Sequence, residues 1–173
     1  MVYNSYQVAE IIGVNVSTIK RWTSSGKLNC YQTVGGHRKF HLNDIATFYK
    51  NNGKSYSDAN IEYIIGKNEK LINAINKLDY QYLVNYSFRN LITGQDDKFL
   101  SLNNSLVIKD FPIYLLIDKI IIPVLKKIGD EWSDGNLSIT EEHLASEIIR
   151  KYLANLNFNK MSSKTEYNAF CFT

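Results

Sequence analysis

The stretch NVSTIKRWTSSGKLNCYQTVGGHRKFHLNDI, residues 15–45, decides the fold of the first third of this chain. Asn15 or Ser17 can cap a short helix here, and Ile19 and Trp22 have the spacing that places two side chains on the inner face of such a helix. The helix then presents four polar side chains on its outer face: Ser17, Thr18, Lys20 and Arg21.

A second short helix is predicted just before this one. Ser5 can cap it, Val8, Ile11 and Ile12 share one face, and Gly13 ends it in the left-handed conformation that glycine tolerates. Two short helices joined by a tight glycine-containing turn form a helix-turn-helix. In that motif the outer face of the second helix meets the major groove of DNA.

Residues 28–42, which follow, predict a β-hairpin that we call the wing. Its two arms flank Gly35-Gly36, a pair that supplies the positive φ of a primed hairpin turn, and Phe40 anchors the return strand inward. Cations just past the turn would face a phosphate backbone. These wing residues are Arg38 and Lys39, with His37 beside them.

A further helix, from a cap at Asn43 to about Asn51, completes a module at residues 1–54 that we call the head. The head has seven Lys and Arg against two Asp and Glu, a net charge of +5, whereas residues 55–173 carry a net charge of −2. A cationic surface attracts a polyanion and releases counterions from DNA. The charge distribution therefore favours nucleic-acid binding by the head.

The composition of the whole chain limits its class. Its 173 residues are 45% hydrophobic and 21% charged, which is typical of a folded protein of one or two domains. The longest apolar run, residues 120–125, is far shorter than the roughly 20 residues that a membrane helix needs. No basic, apolar leader directs export, so we expect a cytoplasmic protein without a membrane partner.

After a polar linker at residues 55–65, helical periodicity dominates the chain. Four amphipathic helices with short links predict a four-helix bundle over residues 66–158. The looser stretch 93–110 is predicted to be a loop. The apolar stripes of the first two helices are Leu71, Ile72, Ile75 and Leu78, then Tyr82, Leu83, Tyr86 and Leu91.

The third helix is predicted from Pro112 to Gly129, with a kink at Pro123. The fourth begins near Ser138, where Ser-Ile-Thr-Glu matches a capping box, and continues through Leu144 on its apolar face. The predicted fold class is therefore mainly α, with a winged helix-turn-helix followed by a four-helix bundle.

The connection between the third and fourth helices holds one distinctive motif, in which Trp132 is followed after nine residues by Glu142-His143. An indole in a loop, beside a carboxylate and an imidazole on the first turns of a helix, makes a flat apolar lid with a polar flank. In the alternative interpretation, Trp132 closes the end of the bundle, Glu142 complements the helix dipole and His143 is an ordinary polar residue.

Other patterns point to no chemistry. Cys30, His37 and His41 resemble part of a zinc site, but the second cysteine of such a site is absent. The sequence shows neither a nucleophile with its base nor a phosphate-binding glycine loop. We therefore predict no metal site and no catalysis.

The order VSTIKRW, SGKL, GGHRKF and LNDI, within residues 6–49, resembles the winged helix-turn-helix of MerR-type regulators and excisionase-like relatives. The resemblance implies that four residues approach the bases and phosphates of double-stranded operator DNA: Ser17, Thr18, Lys20 and Arg21. It also implies that the wing contacts the adjacent backbone through His37, Arg38 and Lys39. A winged helix that binds another protein through a solvated basic face is the alternative.

Residues 122–153, with the phrase IGDEWSDGNLS and the spacing W-x9-EH, resemble the four-helix cap domain of cobalamin-binding proteins. Joined to a MerR-type head, this domain is similar to the CarH and LitR-like group of repressors, which use adenosylcobalamin as a light-sensitive ligand. The resemblance implies that Trp132 shields the upper face of the corrin, that Glu142 contacts the adenosyl group, and that His143 ligates cobalt once light has removed that group.

Members of that group continue after the cap into a Rossmann-like domain that supplies the lower cobalt ligand. Residues 159–173 of this chain end in EYNAFCFT, which predicts only the first strand of such an α/β domain. We therefore expect a chain truncated before that domain, with weak cobalamin binding by this polypeptide alone.

These interpretations together predict a transcriptional regulator of the repressor type rather than an enzyme. One head makes too few contacts for a gene-specific site, so we expect a homo-oligomer. Two alternatives stay open. In the first, the chain is a regulator whose truncated sensor only assembles subunits or binds a partner protein. In the second, the chain is a module of a corrinoid enzyme.

Overall fold

The computed structural model describes residues 2–52 and 60–156. The first range runs in the order β1 (Val2–Asn4), α1 (Ser5–Ile12), α2 (Val16–Ser24), β2 (Tyr31–Gln32), β3 (Arg38–His41) and α3 (Leu42–Asn51). The second range is helical, in the order α4 (Glu62–Ile65), α5 (Glu69–Lys77), α6 (Tyr80–Ile92), α7 (Asp96–Ile108), α8 (Ile113–Leu116), a π-helical turn (Ile117–Ile121), α9 (Ile122–Ser133) and α10 (Ile139–Asn155). The predicted mainly α fold class is confirmed.

The head packs its helices against a three-stranded antiparallel sheet of order β1-β3-β2. Strand β1 was not predicted, because three residues become a strand here only by pairing with β3, which is distant in sequence. Tyr3 lies opposite Phe40 in that pairing, and both are buried. The head core consists of Tyr3, Val8, Ala9, Ile11, Ile12, Ile19, Leu28, Phe40, Ile45, Phe48 and Tyr49, together with Ile108 of α7.

The start of α1 differs by one residue from the prediction. Asn4, rather than Ser5, is the cap, because its side-chain oxygen accepts the backbone N–H groups of both Tyr6 and Gln7 at 2.9 Å. The Gln7 side chain accepts the Asn4 N–H in return, which completes a capping box. Gly13 ends the helix in the left-handed conformation, as predicted.

The start of α3 also differs from the prediction. The carboxylate of Asp44 accepts the backbone N–H of His41 at 2.8 Å, so the helix begins before Asn43, which lies inside it. The Asp44 carboxylate thus satisfies a free backbone N–H at the start of the helix, which is the role predicted for the Asn43 side chain. The cap predicted for α2 at Asn15 is confirmed.

The turn of the wing is not the primed turn expected at Gly35-Gly36. The carbonyl of Thr33 accepts the Gly36 N–H at 2.8 Å, and the Thr33 N–H donates to the His37 carbonyl at 3.0 Å. Of the two glycines, only Gly36 has a positive φ, at 76°. This is the pattern of a three-residue loop in which a type I turn is followed by a left-handed residue. A single glycine therefore sets the shape of the wing.

All four predicted helices of the bundle are present, as α5, α6, α8 with α9, and α10. The capping box of α10 is confirmed, because Ser138 Oγ accepts the Glu141 N–H and the Glu141 carboxylate accepts the Ser138 N–H. Fully buried apolar residues of the bundle core include Leu71, Leu83, Leu91, Phe99, Leu102, Leu106, Leu116, Ile120, Val124 and Ala145.

The third predicted helix is not continuous. Pro112 caps α8 rather than lying inside it, and a π-helical turn joins α8 to α9. Pro123 lies in the first turn of α9, which continues past Gly129 to Ser133. Proline removes a backbone hydrogen bond and crowds the preceding turn, and the wider π turn accommodates it where we had expected a simple kink.

The stretch 93–110, which was predicted as a loop, contains the buried helix α7, so that prediction is wrong. A helix that is buried on all sides has no polar face, and it lacks the periodicity by which a helix is recognised in a sequence. Two of its buried polar residues bond within the helix, since Asn103 Nδ2 donates to the Phe99 carbonyl at 2.7 Å and the Ser105 hydroxyl donates to the Ser101 carbonyl at 2.8 Å. The buried residues of α7 are Phe99, Leu102, Asn103, Asn104, Ser105, Leu106 and Ile108.

Helix α7 lies where the head meets the bundle. Its earlier apolar residues belong to the bundle core, whereas Ile108 is buried in the head core. Residues 60–65, which fall in the predicted linker, contribute to the same junction. The Asn60 N–H donates to the Ile11 carbonyl at 2.9 Å, and Ile64 packs against the head core. The two parts are therefore in direct contact.

Leu78 and Leu144, predicted to face the core, are instead 40% and 43% exposed. Leu78 ends α5 in the left-handed conformation, and Leu144 lies beside Gly94 in the turn before α7. The strand predicted within residues 159–173 lies outside the described residues, and the domain boundaries stay predictions. In the ranges 2–52 and 60–156, no helix has both the length and the apolar character needed to cross a membrane.

Proline at Ser101 tests whether α7 is a buried helix. We expect Ser101→Pro to lower the free energy of unfolding by about 3 kcal/mol or more, because proline removes a hydrogen bond and clashes with the preceding turn. The control Ser101→Ala should change it by less than about 0.5 kcal/mol. Urea denaturation followed by circular dichroism measures both, and equal midpoints for the two variants would contradict a helical α7.

Candidate functional site

A concave groove lies on the head between the first turn of α1, helix α2 and the wing. It brings Lys20 of α2 together with the wing residues His37, Arg38 and Lys39, four of the seven residues predicted to contact DNA. None of the lining residues is acidic. Electropositive clefts concentrate anionic ligands near them. The remaining lining residues are Asn4, Ser5, Tyr6, Thr33 and Gly36.

The other three predicted residues lie outside this lining but on the accessible side of α2. Ser17 and Arg21 are exposed, and Thr18 is half-buried. Ile19 is fully buried beneath them, which fixes the rotation of the helix about its own axis. Helix α2 therefore turns its polar face outward, next to the groove, as the sequence predicts.

Arg38 connects the wing to α2. One nitrogen of its guanidinium group, Nη2, donates to Ser24 Oγ, in the last residue of α2, at 3.4 Å. The Nε atom is shielded from solvent and has no hydrogen-bond partner among the described residues. The accessible nitrogens of a guanidinium group donate to phosphate oxygens, which bind such groups well.

Tyr6 belongs to the groove but was not among the predicted site residues. It lies in the first turn of α1, and its side chain is 70% exposed. Phenolic hydroxyl groups donate readily to phosphate oxygens, and tyrosine is one of the side chains that contact the DNA backbone. The signal in the sequence is an aromatic residue that lies off the apolar face of its helix.

Trp132 lies in the last turn of α9 and not in a loop, and its side chain is 50% exposed. It therefore does not close the end of the bundle, and that part of the alternative is wrong. The part that concerns Glu142 agrees with the structure, since Glu142 lies in the first turn of α10, where a carboxylate complements the helix dipole. Ile122, Leu125 and Gly129 lie on the same face of α9 at three- and four-residue spacing, and all are exposed. We call these four residues the α9 stripe. Sequence reasoning missed its first three members, although their spacing is visible in the sequence.

Glu142 and His143 lie in the first turns of α10. One oxygen of the half-buried Glu142 carboxylate, Oε2, is bonded to His143 Nδ1, and the other, Oε1, accepts the Ser146 hydroxyl at 2.7 Å. In a neutral ring, a carboxylate partner favours the tautomer with the proton on Nδ1, which leaves the lone pair of Nε2 for another partner. The His143 side chain is 75% exposed. A carboxylate-bonded imidazole of this kind is suited to bind a transition metal.

Ser146 is a further residue that sequence reasoning missed, although its four-residue spacing from Glu142 on a helix is the signal for such a pair. Its hydroxyl is the larger cause that holds the pKa of Glu142 below the ordinary value for glutamate, and the bond to His143 is the second. The carboxylate form of Glu142 is therefore favoured into more acidic solution than in an isolated glutamate.

Comparison with known proteins matches both parts of the chain. Residues 2–53 match the family of helix-turn-helix domains, and residues 88–157 match the family of B12 binding domains. The HTH-type transcriptional repressor CarH of Myxococcus xanthus is 32% identical over 50 residues, which cover 29% of this chain and 17% of that protein. The matched segment thus spans less than a fifth of that relative. The chain thus matches both a helix-turn-helix family and a B12 binding family and is similar to CarH over one segment, in agreement with the resemblance that the sequence predicts.

Removal of the Ser146 hydroxyl should raise the pKa of Glu142 toward its ordinary value, because the larger of the two bonds that favour the carboxylate is lost. An NMR titration that follows the side-chain carboxyl carbon of Glu142 in Ser146→Ala measures this change. Ser133→Ala, at an exposed serine in α9, is the control and should leave the titration unaltered. The bond is refuted if both variants titrate like the parent chain.

Proposed function

We propose that this chain, which joins a helix-turn-helix domain to a B12 binding domain, is a MerR-type transcriptional repressor that binds double-stranded operator DNA. The observation that carries the proposal is the groove, in which Lys20, Arg38 and Lys39 lie together without an acidic residue in the lining. A uniformly positive surface is not needed for a winged helix to bind another protein. It matches the closely spaced phosphates of DNA, whose counterions such a surface releases.

In the proposed complex, α2 enters the major groove and the wing lies along the adjacent backbone. Arg21 is suited to read a guanine, because its guanidinium group can make two parallel bonds to one base. Lys20 and the wing contact phosphates, so they add affinity with little preference for sequence. The proposed DNA-contacting residues are Ser17, Thr18, Lys20, Arg21, His37, Arg38 and Lys39, with Tyr6 added from the groove.

We also propose that the exposed end of the bundle binds adenosylcobalamin and that light controls the regulator through this ligand. The residues fit the group, because the α9 stripe offers an apolar surface to a flat macrocycle and His143 Nε2 is free to approach a metal. Adenosylcobalamin, when bound, supplies a light-sensitive cobalt–carbon bond. Trp132 would cover the corrin, Glu142 would contact the adenosyl group, and His143 would ligate cobalt in its absence.

Operator binding by this chain is proposed to require self-association. One head supplies one α2 helix and one wing, whereas helix-turn-helix proteins reach gene-specific affinity as dimers on two half-sites about one helical turn apart. A two-fold symmetric dimer is the commonest solution in homo-oligomers. Sedimentation with and without duplex DNA determines the number of subunits.

The α9 stripe also favours a second candidate, in which the bundle assembles subunits or binds a partner protein and no longer meets cobalamin. An exposed apolar face serves either purpose. Adenosylcobalamin titrated in the dark, followed by absorbance and sedimentation, separates the two. A spectral change supports the ligand, whereas a concentration-dependent mass without a spectral change favours assembly. A corrinoid-enzyme module is the third candidate, and failure of the head to retain duplex DNA at low salt would favour it.

Arg21→Ala is expected to weaken binding to an operator duplex, selected for binding from a random library, by about 1–3 kcal/mol if Arg21 reads a base. Competition with duplexes changed at single positions should show relaxed preference at one of them. Arg150→Ala, which removes the same charge from an exposed residue of α10, is the control and should bind like the parent chain. A mobility shift unchanged by Arg21→Ala would exclude this role.

Trp132→Ala is expected to weaken binding of adenosylcobalamin in the dark by about 2 kcal/mol or more, as is usual for a central aromatic contact. Tyr114→Ala removes an exposed aromatic side chain of α8 and serves as the control. Absorbance titration of the full chain gives both affinities. An equal loss of affinity in the two variants would show that the indole of Trp132 makes no specific contact with the ligand.

A further inference from the structure

Helix α7 is shared between the two parts of the molecule. Phe99, Leu102 and Leu106 are buried in the bundle core, and Ile108, at the end of the helix, is buried in the head core. A rise of about 1.5 Å per residue separates Phe99 from Ile108 by roughly 14 Å. One short rigid element thus reaches from the interior of the bundle to the interior of the head.

The bundle end of α7 contacts the helix that carries the candidate cobalamin residues. The ring of Phe99 meets the ring of Tyr152 edge to face, with 5.5 Å between the ring centres. Tyr152 is buried and belongs to α10, the same helix as Glu142 and His143. A translation or rotation of α10 about its axis would therefore change the packing of α7.

The head end of α7 contacts the sheet that carries the wing. The side chains of Tyr3 and Asn104 share a hydrogen bond, and both residues are buried. Tyr3 lies on β1, which pairs with β3, and β3 begins with Arg38. The contact is therefore one strand away from the residues that line the groove.

The bundle around α7 also contains buried polar atoms that its present packing does not satisfy. Ser87 Oγ, Asn103 Oδ1 and Tyr152 Oη, from α6, α7 and α10, have no hydrogen-bond partner among the described residues. Buried polar atoms in native proteins are paired with few exceptions. All three atoms lie on α7 or on a helix that packs against it, so a change in the position of α7 alters their surroundings.

We propose that α7 is the element through which the bundle and the DNA-binding head are coupled, so that a change in packing at one end of this helix reaches the other end. This inference rests on the proposed binding of DNA by the head. Coupling of two sites is reciprocal, so a duplex bound to the head must change the stability of α7 and α10. Direct packing through α7 carries the effect.

Hydrogen exchange of the full chain tests the coupling without any cobalamin. The probe is a duplex of about 30 base pairs selected for binding from a random library, long enough for two half-sites. We expect the duplex to slow amide exchange in α2 and the wing, and also to slow it several-fold in α7 and α10. Exchange slowed in the head alone would overturn the coupling and leave DNA binding intact. No change anywhere would overturn DNA binding, and the coupling with it.

Two mild variants show whether the effect passes through α7. Tyr3→Phe removes the hydroxyl that bonds to Asn104 and keeps the buried ring, and Ile108→Val removes one methylene group from the junction. Both should retain the slowed exchange in α2 and lose most of it in α10. Ile12→Val makes the same change in the head core, on α1, a helix that does not pack extensively against α7, and is the matched control. Retention of the α10 effect in both junction variants would overturn a route through α7.

Discussion

The burial of α7 from Phe99 to Ile108 is the constraint on which the rest of the structure depends. Its apolar residues complete the bundle core, and Ile108 completes the head core, so each part relies on the same helix to remove its apolar surface from water. Apolar burial alone would tolerate rotation of the helix. The hydrogen bond between the side chains of Asn104 and Tyr3 restricts that rotation, because it holds a buried amide of α7 to a strand of the head.

Two surfaces with opposite physical character lie on either side of this junction. The groove on the head is cationic and polar, and it suits a ligand whose charges are spread along a line. The α9 stripe is apolar and exposed, and α10, which packs against α9, carries Glu142 and His143 in its first turns. An apolar face of this kind suits a flat apolar ligand.

Sequence reasoning succeeded where the signals are local. The two helices of the head, the cap at Asn15, the left-handed Gly13 and the capping box at Ser138 are each set by a few neighbouring residues, and all are confirmed. It failed where packing decides. Helix α7 has no amphipathic face because both parts of the molecule cover it, and β1 is a strand only because β3 lies beside it.

The same division, between features set by neighbouring residues and features set by packing, applies to the candidate site. The positions of Lys20, Arg38 and Lys39 around one groove followed from the helix-turn-helix order, whereas the participation of Tyr6 depends on the fold of a different helix. Trp132 was placed in a loop because the end of α9 is not marked until Gly135. The bond from Arg38 to Ser24 has one more consequence, because it connects the wing to α2 and so restrains the distance between them. Lysine at position 38 would keep the charge but lose this restraint, since an ammonium group lacks the planar fork of donors that can bind a serine and a phosphate at once.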